Sequence, residues 1–500
     1  MNKAGSVGRN LTITYGVQAL GFFQGLIIMP IVILLVGVDG FGAYILLNFF
    51  LSFLYGVTAC GIFYRYRRNV VSTSDPLERR RLLEPQFTFH MIVLGLTSIA
   101  LTVVWPSIQR LLFSGAVEFS WWLFLVWVAQ YAVYREVQDY FRYTLRIGRF
   151  NLLVGAGTFL FIAMVAITAV MRRPLSLDGL IALQIVSLAL PALPFAVSIL
   201  REIGLPRPRL PFREILADLR IGYPLTLALV IDFVLGSSDR YLIGFLMSVA
   251  DVGRYQPAYQ LGSVLNVLPR TGQSVLMTSL SRLVDLDARQ EAERLLSGFL
   301  DFFLMIAMPF ALGAVMVGPS IVALLTTPAI AAASCWVTPL VAVASIFYGF
   351  MILAFQVAFV EGRTLAIIQA NVIGAAINLG LNLVLIPLFK DITIPAATTL
   401  VGYMVSCGFT VLALRRIWSL RVDALSIIRY CGAALVMGGA LWLMGYRPAV
   451  PRASDAGTLI STMAIAAAVY FSSLSLLGGF GALKRRRIAG LFTNWNRNEE

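Results

Sequence analysis

At 500 residues the chain is long enough for several soluble domains, yet 59% of it is hydrophobic and only 13% charged, against about 25% charged in a soluble globular protein. No segment is polar enough to form a separate soluble unit, so the composition excludes a multidomain soluble protein and implies one embedded in a bilayer. The formal net charge of +14 does not imply a nucleic-acid partner, because the basic residues are spread over short loops, and the cytoplasmic bias of Lys and Arg in membrane proteins accounts for them.

The first apolar run, 11–37, is longer than a signal-peptide core and no small-residue cleavage site follows it, so it is expected to remain as a spanning helix. Runs long enough to cross roughly 30 Å of hydrocarbon recur at 41–64, 87–112, 119–138, 151–171, 178–200, 219–246, 252–280, 296–318, 333–360, 365–387, 393–414, 428–446 and 457–480. The expected fold is therefore an all-α polytopic membrane protein with about fourteen transmembrane helices. With the N-terminus inside, most Lys and Arg fall in cytoplasmic loops, tails or adjoining helix ends. Arg110, Arg172, Arg173, Lys390, Arg447 and Arg452 fall outside, and Arg240, Arg254 and Arg270 lie deeper in spans. Adding or dropping one helix would scramble this asymmetry, so both termini are expected to be cytoplasmic.

The clearest cytoplasmic loops are 65–85, with Arg79-Arg80-Arg81, and 201–220, with Pro206, Pro208 and Pro211. His90, the only histidine, sits near a cytoplasmic helix end and is expected to be structural or solvated. Trp121-Trp122 is expected at the membrane interface. Gly155-Ala156-Gly157 lacks the strand-turn-helix context of a nucleotide site. The Pro-rich second loop falls after six spans and reads as a linker between two lobes. The expected organisation is an N-lobe over 1–205 (helices 1–6), a C-lobe with its linker over 206–420 (helices 7–12), and helices 13–14 with a basic tail over 421–500. Lys484-Arg485-Arg486-Arg487 in that tail reads as an anchor beside anionic lipid.

A weak internal repeat supports the two lobes. Val38-Asp39-Gly40-Phe41-Gly42-Ala43-Tyr44 recurs as Val249-Ala250-Asp251-Val252-Gly253-Arg254-Tyr255, and at the same offset Arg9 meets Arg220 and Ser52 meets Ser263. An even number of spans separates the copies, so the six-helix lobes would be related by a pseudo-two-fold axis along the membrane normal, around a central cavity.

The polar residues inside the spans are the candidate site. Span 7 carries Asp232 and, seven residues on and so on nearly the same face, Asp239, followed by Arg240. Span 8 carries Arg254 and a stripe at helical spacing, Gln256, Gln260, Ser263, Asn266, Arg270 and Gln273, flanked by Leu261, Val264, Leu265, Val267 and Leu268. An Arg in hydrocarbon costs roughly 3 kcal/mol on insertion scales, so such a helix turns its stripe toward water, protein or a polar substrate. Pro269, which has no N–H to donate, predicts a kink beside a cavity. Alternative readings stand beside these. Asp239 and Arg240 read equally as a fixed pair between helices, Arg270 as a side chain snorkelling to the cytoplasmic face, and the amides as helix-to-helix hydrogen bonds. Span 11 carries a second stripe, Asn371, Asn378 and Asn382, interleaved with Gly374 and Ala375.

Cys60, Cys335, Cys407 and Cys431 all fall in apolar runs without metal-ligand spacing and read as small buried apolar residues. Neither a phosphate loop, a metal cluster nor a Ser/His/Asp arrangement is present in the sequence, so no cofactor and no catalysis are expected.

Ser237-Ser238-Asp239-Arg240-Tyr241-Leu242-Ile243-Gly244-Phe245 with Val252-Gly253-Arg254-Tyr255, and Asn378-Leu379-Gly380-Leu381-Asn382-Leu383-Val384-Leu385-Ile386-Pro387 with Ala396-Ala397-Thr398, resemble the span 7–8 and span 11–12 segments of the polysaccharide-unit flippases of the multidrug/oligosaccharidyl-lipid/polysaccharide exporter superfamily. Phe41-Gly42-Ala43-Tyr44 is similar to their span 1–2 turn, and the resemblance runs over residues 5 to 415. Lys390-Asp391-Ile392-Thr393-Ile394-Pro395 departs from the Gly-rich turn of that family. The resemblance implies a protein of the bacterial inner membrane that moves a polyprenyl-pyrophosphate-linked oligosaccharide from the inner to the outer leaflet by alternating access, for surface or exopolysaccharide assembly. Its partners would be that lipid-linked glycan, membrane lipid, a proton or sodium gradient and the polysaccharide polymerase machinery. Arg270, Arg254 and Arg240 would meet the pyrophosphate. Gln256, Gln260, Ser263, Asn266 and Gln273 would meet glycan hydroxyls, and Asp232 and Asp239 would serve ion coupling.

Rival readings are a lipid-II-type flippase and a multidrug or cation antiporter of the same superfamily. The antiporter is expected to carry acidic groups in its first lobe, and spans 1 and 2 contain no Asp or Glu. A membrane glycan polymerase or ligase would need a large external loop for catalytic residues, and the outer loops here are short.

Overall fold

The computed structural model describes residues 3–63, 66, 69–70, 73, 75–113, 117–414 and 423–480, with backbone alone at 3–15, 17–20, 22–23, 111–112, 274–275, 278 and 364. Arg65 and the Lys484–Arg487 tail lie outside the described residues, as does the side chain of Arg9.

The described residues form helices joined by loops. In order the helices are α1 (Lys3–Thr58), α2 (Pro76–Phe113), α3 (Trp121–Tyr143), α4 (Ile147–Val170), α5 (Leu177–Ile203), α6 (Phe212–Leu246), α7 (Val249–Gly262), α8 (Val267–Asp285), α9 (Arg289–Met316), α10 (Gly318–Leu325), α11 (Pro328–Ala333), α12 (Val337–Val360), α13 (Thr364–Phe389), α14 (Thr393–Leu414), α15 (Ala424–Leu443) and α16 (Ala456–Leu476). Among the described residues, 11 helices are long and apolar enough to cross a membrane.

Three of the spans read from sequence have no separate member in that set, each for a local reason. α1 runs through both of the first two spans, parted only at Gly37, whose φ of 74° and ψ of 176° are non-helical and need a residue without a Cβ. α3 is helical but carries Arg135, Glu136, Asp139 and Arg142. Span 252–280 is divided by a 3-10 turn, Ser263–Asn266, between α7 and α8. Pro269 explains the turn. It cannot donate to the carbonyl of Leu265 four residues back and its ring pushes that carbonyl away, so the chain tightens locally.

Large apolar side chains such as Leu34, Val103, Val170, Leu443 and Leu476 are exposed, as a lipid-facing surface requires. Lipid tails are as apolar as leucine, so hydrophobic transfer does little to join such helices; packing and interhelical hydrogen bonds do it.

The chain divides into two compact units, Lys3–Gly253 and Arg254–Glu500. In the first, α3, α4 and α5 share a core of Tyr134, Val137, Phe141, Leu153, Leu188 and Ala192. Ile62, Phe63 and Tyr66 pack on Ile215 of α6, which lies in this unit. The Pro-rich loop is docked along α2. Arg207 donates its backbone N–H to Glu84 at 2.9 Å, Arg209 donates to Thr88 at 3.2 Å, and Arg80 pairs with Glu84 at 2.7 Å. Glu202 gathers Arg79, Arg146 and Tyr140.

In the second unit, Leu296 and Phe303 of α9, Val357 of α12, Tyr430 and Met437 of α15 and Tyr470 of α16 form one core. Tyr470 fixes α16 to α9 by donating to the Met305 carbonyl at 2.6 Å. The four cysteines are free and half-buried, where full burial was expected. A thiol can face lipid as readily as protein, so an apolar run in a membrane helix does not tell which.

Candidate functional site

The charged motif of span 7 is a joint between helices of the first unit. Asp239 and Arg240 are each 2% exposed. Asp239 Oδ1 accepts from both the backbone N–H and Nη1 of Arg240 at 2.9 Å. Nη1 also donates to the Gly236 carbonyl at 2.9 Å, and the guanidinium lies 4.5 Å from the ring centroid of Phe49 on α1. Tyr241 donates to the Leu46 carbonyl at 3.0 Å. Asp232 shares the face of Asp239 in register, but is exposed.

The span 8 stripe changes character at the 3-10 turn. Gln256, 3% exposed, donates to Gln260 at 3.1 Å, and Ser263 donates to the Gln260 carbonyl at 2.9 Å. These groups close partly on one another. Arg254, toward the start of α7, is exposed. From the last residue of the turn onward the stripe opens. Asn266 keeps a buried Oδ1 without a hydrogen-bond partner, Gln273 is half-buried, and Arg270 is exposed. Arg270 Nη2 donates to the hydroxyl of Tyr348 on α12 at 2.7 Å, with its guanidinium 5.3 Å from the centroid of the same ring. Tyr348 leans on Tyr403 of α14, centroids 5.2 Å apart. This aromatic pair escaped the sequence reading, since neither tyrosine belongs to a polar stripe.

The span 11 asparagines form a clasp between α13 and α14. Asn378 donates to Thr399 at 3.3 Å, Asn382 donates to Asn378 Oδ1 at 3.3 Å, and Thr398 donates to Asn382 Oδ1 at 2.6 Å. Asn378 and Asn382 are buried, while Asn371 keeps a buried, unpartnered Oδ1. His90, also buried, meets Glu136 and Thr58.

A cavity of about 320 Å³ in the second unit is lined by Ile306, Phe310, Met437, Leu441 and Met463 among others. Its one tyrosine, Tyr470, has its hydroxyl turned to Met305, so the cavity offers little to a sugar or a phosphate. Asn266, Arg270 and Tyr348 lie apart from this lining. Among the described residues no group of three or more His, Cys, Asp or Glu is placed to hold a metal ion.

A sequence model of polysaccharide biosynthesis proteins matches residues 31–329. Over 220 residues the chain is 27% identical to a probable flippase, AglR, of Haloferax volcanii; the match covers 42% of this chain and 44% of the relative, so the chain spans less than half the length of that protein. The fold is similar to that of the lipid II flippase MurJ in an inward closed conformation, with a TM-score of 0.70, 13% identity, and 93% of this chain and 97% of that one covered. It is also similar to an inward-facing multidrug resistance MATE family transporter of the MOP superfamily, with a TM-score of 0.61, 14% identity, and 79% and 94% covered. At these identities the likeness is one of fold.

Proposed function

The chain belongs to the polysaccharide biosynthesis protein family, and from that premise we propose that it is a flippase for a polyprenyl-pyrophosphate-linked oligosaccharide, carrying it from the inner to the outer leaflet of a bacterial inner membrane, with both termini cytoplasmic. The observation that carries this reading is Arg270 at the open end of the stripe. A guanidinium has five N–H donors in a planar fork, so Tyr348 can orient it through one nitrogen while others grip a pyrophosphate. Asn266, Gln273 and Gln260 supply amides for sugar hydroxyls, and Arg254 a second cation. Asp239 and Arg240 are assigned to holding α6 on α1. Asp232 is assigned to coupling with a proton or sodium gradient, and delivery would be to a polysaccharide polymerase on the far side. The reading makes the protein a transporter and leaves it no catalysis.

The decisive experiment depletes the protein and identifies the lipid-linked glycan that accumulates on the cytoplasmic leaflet. Arg270→Ala, at matched protein level, is expected to cut surface polysaccharide by about tenfold or more, the effect of losing one charge-assisted hydrogen bond of roughly 1.5–3 kcal/mol. Undiminished polysaccharide in that variant would remove Arg270 from the site. The fold likeness to MurJ favours a lipid-II-type substrate as the second reading, and accumulation of a peptide-bearing glycan would select it. The multidrug or cation antiporter fits less well, because an amide and arginine stripe suits an anionic substrate.

A further inference from the structure

Between α5 and α6 the chain runs as a strap along α2. Gly204, with a φ of 77°, turns it out of α5 beside Arg80, whose Nη1 a methyl on Gly204 would approach to 2.9 Å. The backbone N–H of Arg207 donates to Glu84 Oε1 at 2.9 Å, and that of Arg209 to Thr88 Oγ1 at 3.2 Å. An extended chain turns the N–H groups of residues two apart to one side, and Pro206, Pro208 and Pro211 favour that conformation. Beyond the strap, Ile215 of α6 packs on Ile62, Phe63 and Tyr66. The strap is thus fixed at both ends and in its middle.

Its level along α2 is set by those two hydrogen bonds. Glu84, Thr88, Ile92, Leu96, Ile99 and Val103 recur at helical spacing and share one face of α2. The last four are exposed, and a stripe of large apolar side chains left open on a spanning helix suits lipid. The strap is bonded to the next two positions of that stripe, Glu84 and Thr88, where the apolar run 87–112 begins. It therefore closes the lipid-facing stripe at the level where hydrocarbon gives way to headgroups.

The side chains of the strap are left open. Leu205 is 74% exposed and Phe212 81%, and Arg207, Arg209, Leu210 and Arg213 are exposed as well. Of the acids at this end, Glu84 is engaged by Arg80 and the Arg207 backbone, and Glu202 by Arg79 and Arg146. The exposed Glu214 offsets one of the three arginines. A soluble anion would use the arginines and leave Leu205, Leu210 and Phe212 in water. A phospholipid uses both kinds of side chain, since its phosphate meets guanidinium groups while its first methylenes meet the apolar ones. We propose that the strap is a binding surface for anionic phospholipid, with Arg207, Arg209 and Arg213 on the phosphates and Leu205, Leu210 and Phe212 at the edge of the hydrocarbon. That the leaflet concerned is the cytoplasmic one rests on the topology of the proposed function; the lipid contact does not.

Full-length protein carrying the photocrosslinker benzoylphenylalanine in place of Leu210 is placed in nanodiscs of phosphatidylglycerol and phosphatidylcholine, in equal parts and with matched acyl chains. After irradiation, the intact mass of the protein identifies what it has captured. Adducts with the anionic lipid are expected to exceed those with the zwitterionic one by about threefold or more. Arg207→Gln, Arg209→Gln and Arg213→Gln together are expected to bring the two lipids to parity, and high salt to weaken the preference. The same probe in place of Leu96, in the middle of the α2 stripe, should take both lipids equally. The three guanidinium groups are exposed and the bonds to Glu84 and Thr88 come from the backbone, so the triple variant should keep its thermal midpoint. If it does not fold, each single substitution must lower the preference. The proposal is overturned by the absence of lipid adducts at position 210, by capture of a second protein chain there instead, by equal yields of the two lipids, or by a preference that survives loss of the arginines. Failure of the protein to flip a lipid-linked glycan would count against the proposed function and leave this contact standing.

Discussion

Gly42 and Gly253, which occupy the same position in the two copies of the internal repeat, make reciprocal contacts: a methyl on Gly42 would overlap the carbonyl oxygen of Val249, and a methyl on Gly253 would overlap that of Val38. Val38 and Val249 are themselves repeat equivalents. The contact is therefore two-fold in kind, each helix start laying its backbone against the glycine of the other. Small residues are what allow backbones this close in a membrane.

Gly42→Ala and Gly253→Ala are each expected to destabilise by about 1–3 kcal/mol, the cost of overpacking, because the obstructing atoms are backbone and cannot change rotamer. Gly380→Ala and Gly408→Ala, where the added methyl meets nothing, serve as controls. Thermal unfolding of the four proteins in detergent should separate them into two pairs. Four equal midpoints would show that the contact carries no weight.

Arg240→Ala removes one member of a buried ion pair and is expected to cost roughly 3–5 kcal/mol. It should lower the amount of folded protein rather than transport per molecule. Asp239→Asn with Arg240→Leu removes both charges, and should cost less than the sum of the two single changes. Quantifying folded protein by fluorescence-detected gel filtration checks this. Normal abundance of Arg240→Ala with lost export would return Arg240 to the substrate site.

The helices and the break in span 8 were legible because their causes are local. Apolar runs set the former, and Pro269 acts on the carbonyl of Leu265 within one turn. The stripe was legible as spacing, but spacing is blind to what stands opposite. Arg240 and Arg270 look alike in sequence, each an Arg within an apolar run. Phe49 and Asp239 enclose the first, whereas the second stays exposed beside Tyr348. Likewise the partners of His90, Thr58 and Glu136, come from other helices. The docking of α6 within the first unit was hidden for the same reason, since the Pro-rich loop before it has the composition of a free linker yet is bound along α2.

Asn382→Leu is expected to destabilise the α13–α14 hairpin by about 1–3 kcal/mol, because it leaves Asn378 Oδ1 without its donor in a buried site and returns the Thr398 hydroxyl to the Pro395 carbonyl alone. Asn382→Asp in its neutral form keeps an acceptor for Thr398 and offers Asn378 one O–H in place of the amide N–H, and should be intermediate. Thermal midpoints in nanodiscs give the order. A midpoint for Asn382→Leu equal to the unaltered protein would show that the clasp is not structural, and would return the span 11 stripe to the list of substrate contacts.

Tyr348 tests how Arg270 is presented. Tyr348→Phe removes the 2.7 Å hydrogen bond but keeps the ring beneath the guanidinium, so flipping by proteoliposomes should fall by less than with Arg270→Ala, which loses the guanidinium itself. Tyr348→Ala removes both supports and should approach the loss seen with Arg270→Ala. Arg270→Lys keeps the charge but not the planar fork that both stacks on Tyr348 and matches a pyrophosphate in two places, so it should restore only part of the activity. The order expected is therefore unaltered protein, Tyr348→Phe, Arg270→Lys, then Tyr348→Ala with Arg270→Ala. If Arg270→Lys is fully active, a point charge suffices and the fork is irrelevant. If Tyr348→Phe is as damaged as Arg270→Ala while remaining folded, the hydroxyl touches the substrate itself, and Tyr348 joins the site as a contact instead of a support.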